Sequence, residues 1–137
     1  MSTHNLIRVR DVMKTHFDMV DGMDTVQTAL ENMLHVGTKS LIVKKRNQHD
    51  ELGMVLLSDI ARRVLAVDRA PERVNIYEIM TKPVLTVSPD MDIRYCARMF
   101  DQFELSRAPV VENGEVVGII SHTDMVLKGL CKKITDK

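Results

Sequence analysis

Arg107-Ala108-Pro109-Val110-Val111-Glu112-Asn113-Gly114-Glu115-Val116-Val117-Gly118-Ile119-Ile120-Ser121-His122-Thr123-Asp124 carries the pattern that decides the fold. Two apolar runs, Ala108 to Val111 and Val116 to Ile120, flank Asn113-Gly114. That dipeptide tolerates the positive φ angles of a tight hairpin turn, so the stretch predicts two antiparallel strands. Thr123-Asp124 then predicts the N-cap of a helix. Upstream, Ile93, Cys96, Ala97 and Phe100 fall at i, i+3, i+4 and i+7, the apolar face of an amphipathic helix.

The first half repeats this order. Val26, Ala29, Leu30 and Met33 take the same helical spacing sixty-seven positions earlier. Asp24 or Thr25 is placed to cap that helix and Gly37 to close it. Ser88-Pro89-Asp90 offers the second helix a cap, a proline at the first helical position and an acidic first turn. Leu41-Ile42-Val43 and Leu52-Gly53-Met54-Val55-Leu56 predict a hairpin with a longer polar turn, Lys44 to Glu51. The longer turn reduces the offset to sixty-five, so that Gly53 aligns with Gly118 and Asp59 with Asp124. Ser58-Asp59 predicts a helix start matching Thr123-Asp124. Short lead-ins, Arg10-Asp11-Val12-Met13 and Tyr77-Glu78-Ile79-Met80, run into strands around Met19-Val20 and Thr86-Val87. The sequence therefore reads as an α+β chain of two β-α-β-β-α repeats, at 7–66 and 74–131, joined by a polar linker at 67–73 that holds Pro71. A lone repeat of about 60 residues buries little surface, so the two are expected to pack against each other.

Composition narrows the function classes. Nineteen basic residues balance nineteen acidic ones, so no net field favours nucleic acid or an anionic membrane. The run Lys44-Lys45-Arg46-Asn47-Gln48-His49 reads as a solvated hairpin tip, because no aromatic residue interleaves it to stack on bases. Cys96 sits at an apolar helix position and Cys131 in a basic tail, which predicts two reduced thiols. His4, His16, His35, His49 and His122 have no spacing that makes a ligand cluster, so no metal is expected. Met13, Met33, Met80 and Met99 read as adaptable core fillers. Met1 to Arg10 holds no signal-like apolar stretch, and no segment approaches the ~20 apolar residues of a membrane span. A soluble cytoplasmic protein is expected. No nucleophile–base pair, phosphate loop or carboxylate dyad stands out, so an enzyme is not expected.

The V-M and I-M lead-ins, the strand Arg107-Ala108-Pro109-Val110-Val111 and the run Gly118-Ile119-Ile120-Ser121-His122-Thr123-Asp124 together resemble cystathionine β-synthase (CBS) domains, across nearly the whole chain. The resemblance implies two repeats related by a pseudo-twofold axis and packed sheet to sheet as one CBS-pair, or Bateman, module standing alone. Such modules often form a disk-like homodimer through their helices. They regulate a partner protein or their own dimer by binding AMP, ADP, ATP or S-adenosylmethionine in two clefts between the repeats. No cofactor is required beyond that regulatory ligand.

The family's ligand motif is glycine, two hydrophobic residues, Ser or Thr, two variable residues and Asp. Gly118, Ser121 and Asp124 match it in full. A carboxylate at a helix start can accept hydrogen bonds from both ribose hydroxyls. Ser121, His122 and Thr123, near the helix N-terminus, can face phosphate oxygens. By resemblance, this stronger cleft is completed by the lead-in Thr15, His16, Phe17 and Asp18 and by Thr38, Lys39 and Ser40, with Arg107 offering a guanidinium near the middle of the groove. In the weaker cleft Asp59 is present, but Leu56 stands where the family has a hydroxyl, and Ser58 is the nearest substitute. Thr81, Lys82, Pro83, Val84, Ser106 and Ala108 would form its walls.

Two other readings stand beside this one. Asp59 and Asp124 are also ordinary helix caps, and Lys39 and Arg107 ordinary surface charges. The alternative function is a structural interaction or dimerisation module whose clefts are vestigial, a reading that Leu56 supports and Ser121-Asp124 opposes.

Overall fold

Thr25 starts the first amphipathic helix, its Oγ1 accepting the Thr28 N–H at 3.1 Å. A computed structural model describes residues 6–132, so His4 lies outside the described residues. The chain order is α1 (Val9–Val12), β1 (Met19–Val20), α2 (Val26–Glu31), β2 (Ser40–Val43), β3 (Gly53–Leu56), α3 (Leu57–Ile60), α4 (Ile93–Phe103), β4 (Arg107–Glu112), β5 (Glu115–Ser121) and α5 (His122–Gly129). The fold class is α+β, and strands and helices recur in the predicted order except for the strand expected before α4. Among these residues no helix is long and apolar enough to cross a membrane.

The chain divides into two compact units. One is Phe17–Val84. Its sheet runs β1-β2-β3, with β1 parallel to β2 and β2 antiparallel to β3. Leu41, Val43 and Val55 of the hairpin bury against Val26 and Ala29 of α2 and against Val74, Ile76 and Ile79 downstream. Each of the valine, leucine and isoleucine side chains contributes about 1.5–3 kcal/mol when fully removed from water. The other unit combines the stretch ending at His16 with that beginning at Leu85. Its β4 and β5 pair antiparallel around Asn113 (φ 54°) and Gly114 (φ 80°), the two positive angles that the dipeptide predicts. Val9 and Val12 of α1 bury there with Ile93, Phe100, Ile120 and Met125. Met13 and Met99 pack on this core, Met33 and Met80 on the first.

Each lead-in therefore belongs to the unit built around the other repeat. Lys14 exchanges both backbone hydrogen bonds with Ile119, each at 2.9 Å. Thr81 does the same with Met54, at 2.9 and 3.0 Å. The motif glycines permit this approach. A Cβ on Gly118 would lie 2.7 Å from the Lys14 carbonyl oxygen and from Met13 Sδ, and one on Gly53 would lie 3.0 Å from Met80 Sδ and 3.3 Å from the Thr81 oxygen.

Several local expectations are corrected. Helix α2 stops at Glu31, well before Gly37, because the Asp18 carboxylate accepts the Leu34 and His35 N–H groups at 2.9 and 2.8 Å and draws the chain out of the helix. Gly37 instead lies in a 3-10 turn, Val36–Thr38. Helix α4 is capped by Asp92, whose Oδ1 accepts the Arg94 N–H, while Ser88 closes a separate turn onto the Asp90 N–H. Helices α3 and α5 begin earlier than Ser58-Asp59 and Thr123-Asp124, with Leu56 and Ser121 at the N-cap. The predicted strand at Thr86-Val87 reduces to one parallel bridge, Val87 to Val110.

Candidate functional site

The start of α5 assembles a polar cluster. Strand β5 ends at Ser121, whose Oγ accepts the Asp124 N–H at 3.1 Å and so caps the helix. This places Asp124 at the third helical position, facing inward and only 1% exposed. Its charge is matched by Lys14, which sequence reasoning missed. Lys14 Nζ donates to Oδ1 and Oδ2 at 2.8 Å each, and that side chain is 13% exposed. A buried carboxylate without such a partner would be strongly disfavoured. The two backbone bonds to Ile119 set the Lys14 Cα beside β5, from which the four-carbon stem reaches Asp124. In sequence, Lys14 is one of nineteen basic residues, and nothing in its neighbours marks it.

Ser106, just before β4, and Arg107, its first residue, lie close by. The Ser106 carbonyl accepts the His122 N–H at 3.1 Å and lies 3.0 Å from His122 Nδ1. Arg107 Nε donates to Ser106 Oγ at 3.3 Å. Burial pushes the half-buried Arg107 guanidinium below its ordinary pKa, and the Asp124 carboxylate opposes that shift. Thr123 is exposed on the first turn of α5. The same unit holds Thr15 and His16, both exposed, with Thr15 Oγ1 and His16 Nδ1 3.5 Å apart, and Ala108, fully buried in its core.

The remaining predicted residues belong to the Phe17–Val84 unit. Asp18 binds the Leu34 and His35 amides, and Phe17 is half-buried. Thr38 and Ser40 are buried: the Thr38 hydroxyl donates to the His35 and Ser40 carbonyls and the Ser40 hydroxyl to the Thr38 carbonyl. Lys39 is exposed at a left-handed φ of 58°, and its carbonyl accepts the Leu57 N–H. Asp59 is arranged differently from Asp124. Its Oδ2 accepts the Leu56 N–H at 3.0 Å and its Oδ1 the Arg62 guanidinium. Leu56 itself provides no side-chain cap.

Thr81 occupies the place matching Lys14, and it brings a hydroxyl there instead of an ammonium. Lys82, one residue on, pairs with Asp50 at 2.8 Å instead of approaching Asp59. Arg46 also pairs with Asp50, which folds the hairpin tip predicted as solvated. Ser58 and Pro83 are exposed and Val84 is half-buried. Among the described residues no His, Cys, Asp and Glu side chains gather as a metal site. Cys96 and Cys131 are free thiols.

The CBS domain family model matches residues 9–66 and 76–129. An uncharacterised protein of Methanopyrus kandleri is 29% identical over 114 residues, which cover 80% of this chain and 57% of that protein. The chain spans 57%, 46% and 38% of the first three curated relatives it matches. The structure is similar to the hexameric CBS-CP12 protein from bloom-forming cyanobacteria, with a TM-score of 0.85, 33% identity, and coverage of 90% of this chain and 71% of that one. The CBS domain pair of protein MJ0100, in complex with 5′-methylthioadenosine and S-adenosyl-L-methionine, shares the fold at a TM-score of 0.76 and 24% identity, covering 94% of this chain and 100% of that one.

Proposed function

From a chain that belongs to the CBS-domain family as a tandem pair, we propose a regulatory module that binds an adenosyl ligand, an adenine nucleotide or S-adenosylmethionine, and catalyses nothing itself. The observation that carries this reading is the Asp124 carboxylate, buried at the first turn of α5 behind a Ser121 cap, with Arg107, His122 and Thr123 around it. A carboxylate there can accept the ribose hydroxyls, and the helix N-terminus favours a phosphate beside Thr123. The complex of a like-folded pair with two adenosyl compounds supports the same ligand class. Thr15 and His16, in the same unit as Asp124, are proposed to contribute to this site. The second site, around Ser58, Asp59 and Thr81, is weaker, because Leu56 lacks the hydroxyl and Asp59 holds Arg62.

Ligand would act by shifting the balance between two arrangements of the module and so altering a homodimer or partner surface. Tyr95 and Phe103 on α4 and Val126 on α5 are exposed apolar side chains that suit self-association. Thermal melting with a panel of adenosyl compounds tests the reading: a ligand held through Asp124 raises the midpoint of the wild type and not of Asp124→Ala. A flat response in the wild type would favour an interaction module with vestigial clefts.

A further inference from the structure

We propose that Lys14 sets the class of adenosyl ligand this chain accepts, favouring phosphorylated adenosine over the sulfonium compound S-adenosylmethionine. The inference rests on the reading that Asp124 receives the ribose. Lys14 Nζ donates to both Asp124 oxygens at 2.8 Å, with the carboxylate 1% and the ammonium 13% exposed. A diol accepted by Asp124 therefore meets a carboxylate whose charge is already matched. It keeps lone pairs for hydroxyls but presents little negative field to a cation.

Arg107 tips the balance further. Its half-buried guanidinium is held near the start of α5, Nε donating to Ser106 Oγ at 3.3 Å while the Ser106 carbonyl accepts the His122 N–H at 3.1 Å. Lys14 offsets the Asp124 charge, Arg107 adds a positive charge in the same unit, and burial weakens the screening that would dilute it. A ligand bringing phosphate gains from that field, and one bringing a sulfonium opposes it. The matching place in the first repeat is Thr81, and Lys82 beside it is bound to Asp50. The two repeats thus differ in charge as well as in the hydroxyl that Leu56 lacks.

The backbone places Lys14 beside β5. Two backbone hydrogen bonds to Ile119 fix its Cα, and Gly118 lets the segment lie against β5. The contact with Asp124 is therefore a built feature of the unit, not the reach of a mobile surface lysine.

Calorimetric titration of the full chain at low salt with adenosine, AMP, 5′-methylthioadenosine and S-adenosylmethionine tests the assignment. AMP should bind about tenfold tighter than adenosine, and S-adenosylmethionine about tenfold weaker than 5′-methylthioadenosine, a size expected for one unit charge in a partly buried site. Lys14→Gln should shrink the AMP-to-S-adenosylmethionine ratio about tenfold, and Lys14→Arg should preserve it. Equal affinities for the two charged ligands in the wild type, or an unchanged ratio in Lys14→Gln, would overturn the proposal. Should Lys14→Gln not fold, salt dependence in the wild type decides: added NaCl must weaken AMP and leave 5′-methylthioadenosine unchanged. No heat from any of the four compounds would remove the ligand reading itself and the Lys14 assignment with it, whereas binding without charge discrimination removes only the latter.

Discussion

Lys14 and Asp124, 110 positions apart in the chain, form a two-pronged ion pair in which Nζ lies 2.8 Å from each carboxylate oxygen. The pair ties the segment after the first described helix to the last, and removing one partner leaves the other charge poorly solvated. Asp124→Ala should cost about 3–5 kcal/mol in urea unfolding, and the apolar double substitution Lys14→Met/Asp124→Leu should recover most of that loss. A double-variant loss equal to the sum of the Lys14→Met and Asp124→Leu single losses would show that the pair is not coupled.

The two helix caps predict unequal effects. Ser121→Ala removes a side-chain cap from α5 and should cost about 1 kcal/mol. Leu56→Ser gives α3 the hydroxyl it lacks. The new cap offsets the smaller apolar burial, so stability should move by no more than about 1 kcal/mol. On the proposed function, Leu56→Ser should also tighten the weaker of the two sites in calorimetry, while the wild type binds chiefly at the Asp124 site.

Gly118→Ala should be the more damaging of the two glycine substitutions. Its Cβ would meet backbone oxygen at 2.7 Å, which requires the lead-in to move, at about 1–3 kcal/mol. Gly53→Ala meets the flexible end of Met80 at 3.0 Å and backbone at 3.3 Å, so its midpoint in urea should shift less.

Cys96 and Asp50 predict opposite ends of the pH profile. Burial pushes the Cys96 thiol from its ordinary 9.0 up to about 11. A raised folded pKa means that its contribution is complete below 9.0 and is lost as pH rises toward 11. At about pH 8.5, iodoacetamide should label exposed Cys131 and reach Cys96 only on unfolding. Hydrogen bonds from Arg46, then Lys82, hold Asp50 well below the usual carboxylate range. That contribution is present above the usual range and lost as pH falls, so Asp50→Asn should flatten the acid side of the melting profile.

Much of this molecule follows from local chemistry. Asn113-Gly114 makes its turn from its own backbone tolerance, and Val26, Ala29, Ile93, Cys96 and Phe100 are buried because their spacing leaves them on one helix face. Expectation and structure part where a distant residue competes. Asp18 ends α2 by taking the Leu34 and His35 amides, and no window around residues 26–37 contains that instruction. Ser121 reads from its motif as a ligand group, and the structure adds that it is the helix cap, which moves Asp124 inward to the third position. Lys14 is silent in the sequence because only the pairing of its segment with β5 makes it a neighbour of Asp124.

The exchange of lead-ins has a consequence for the order in which the chain becomes stable during synthesis. The Phe17–Val84 unit has all its own parts once residue 84 has left the ribosome. Val9 and Val12 are made earlier, yet the side chains that cover them, Ile120 and Met125 among them, arrive near the end. Helix α1 is thus made before α2 yet finds its place only after β5 and α5 have been made. A nascent chain halted between residues 85 and 120 would hold one finished unit and one bare apolar segment, which is where a chaperone would bind.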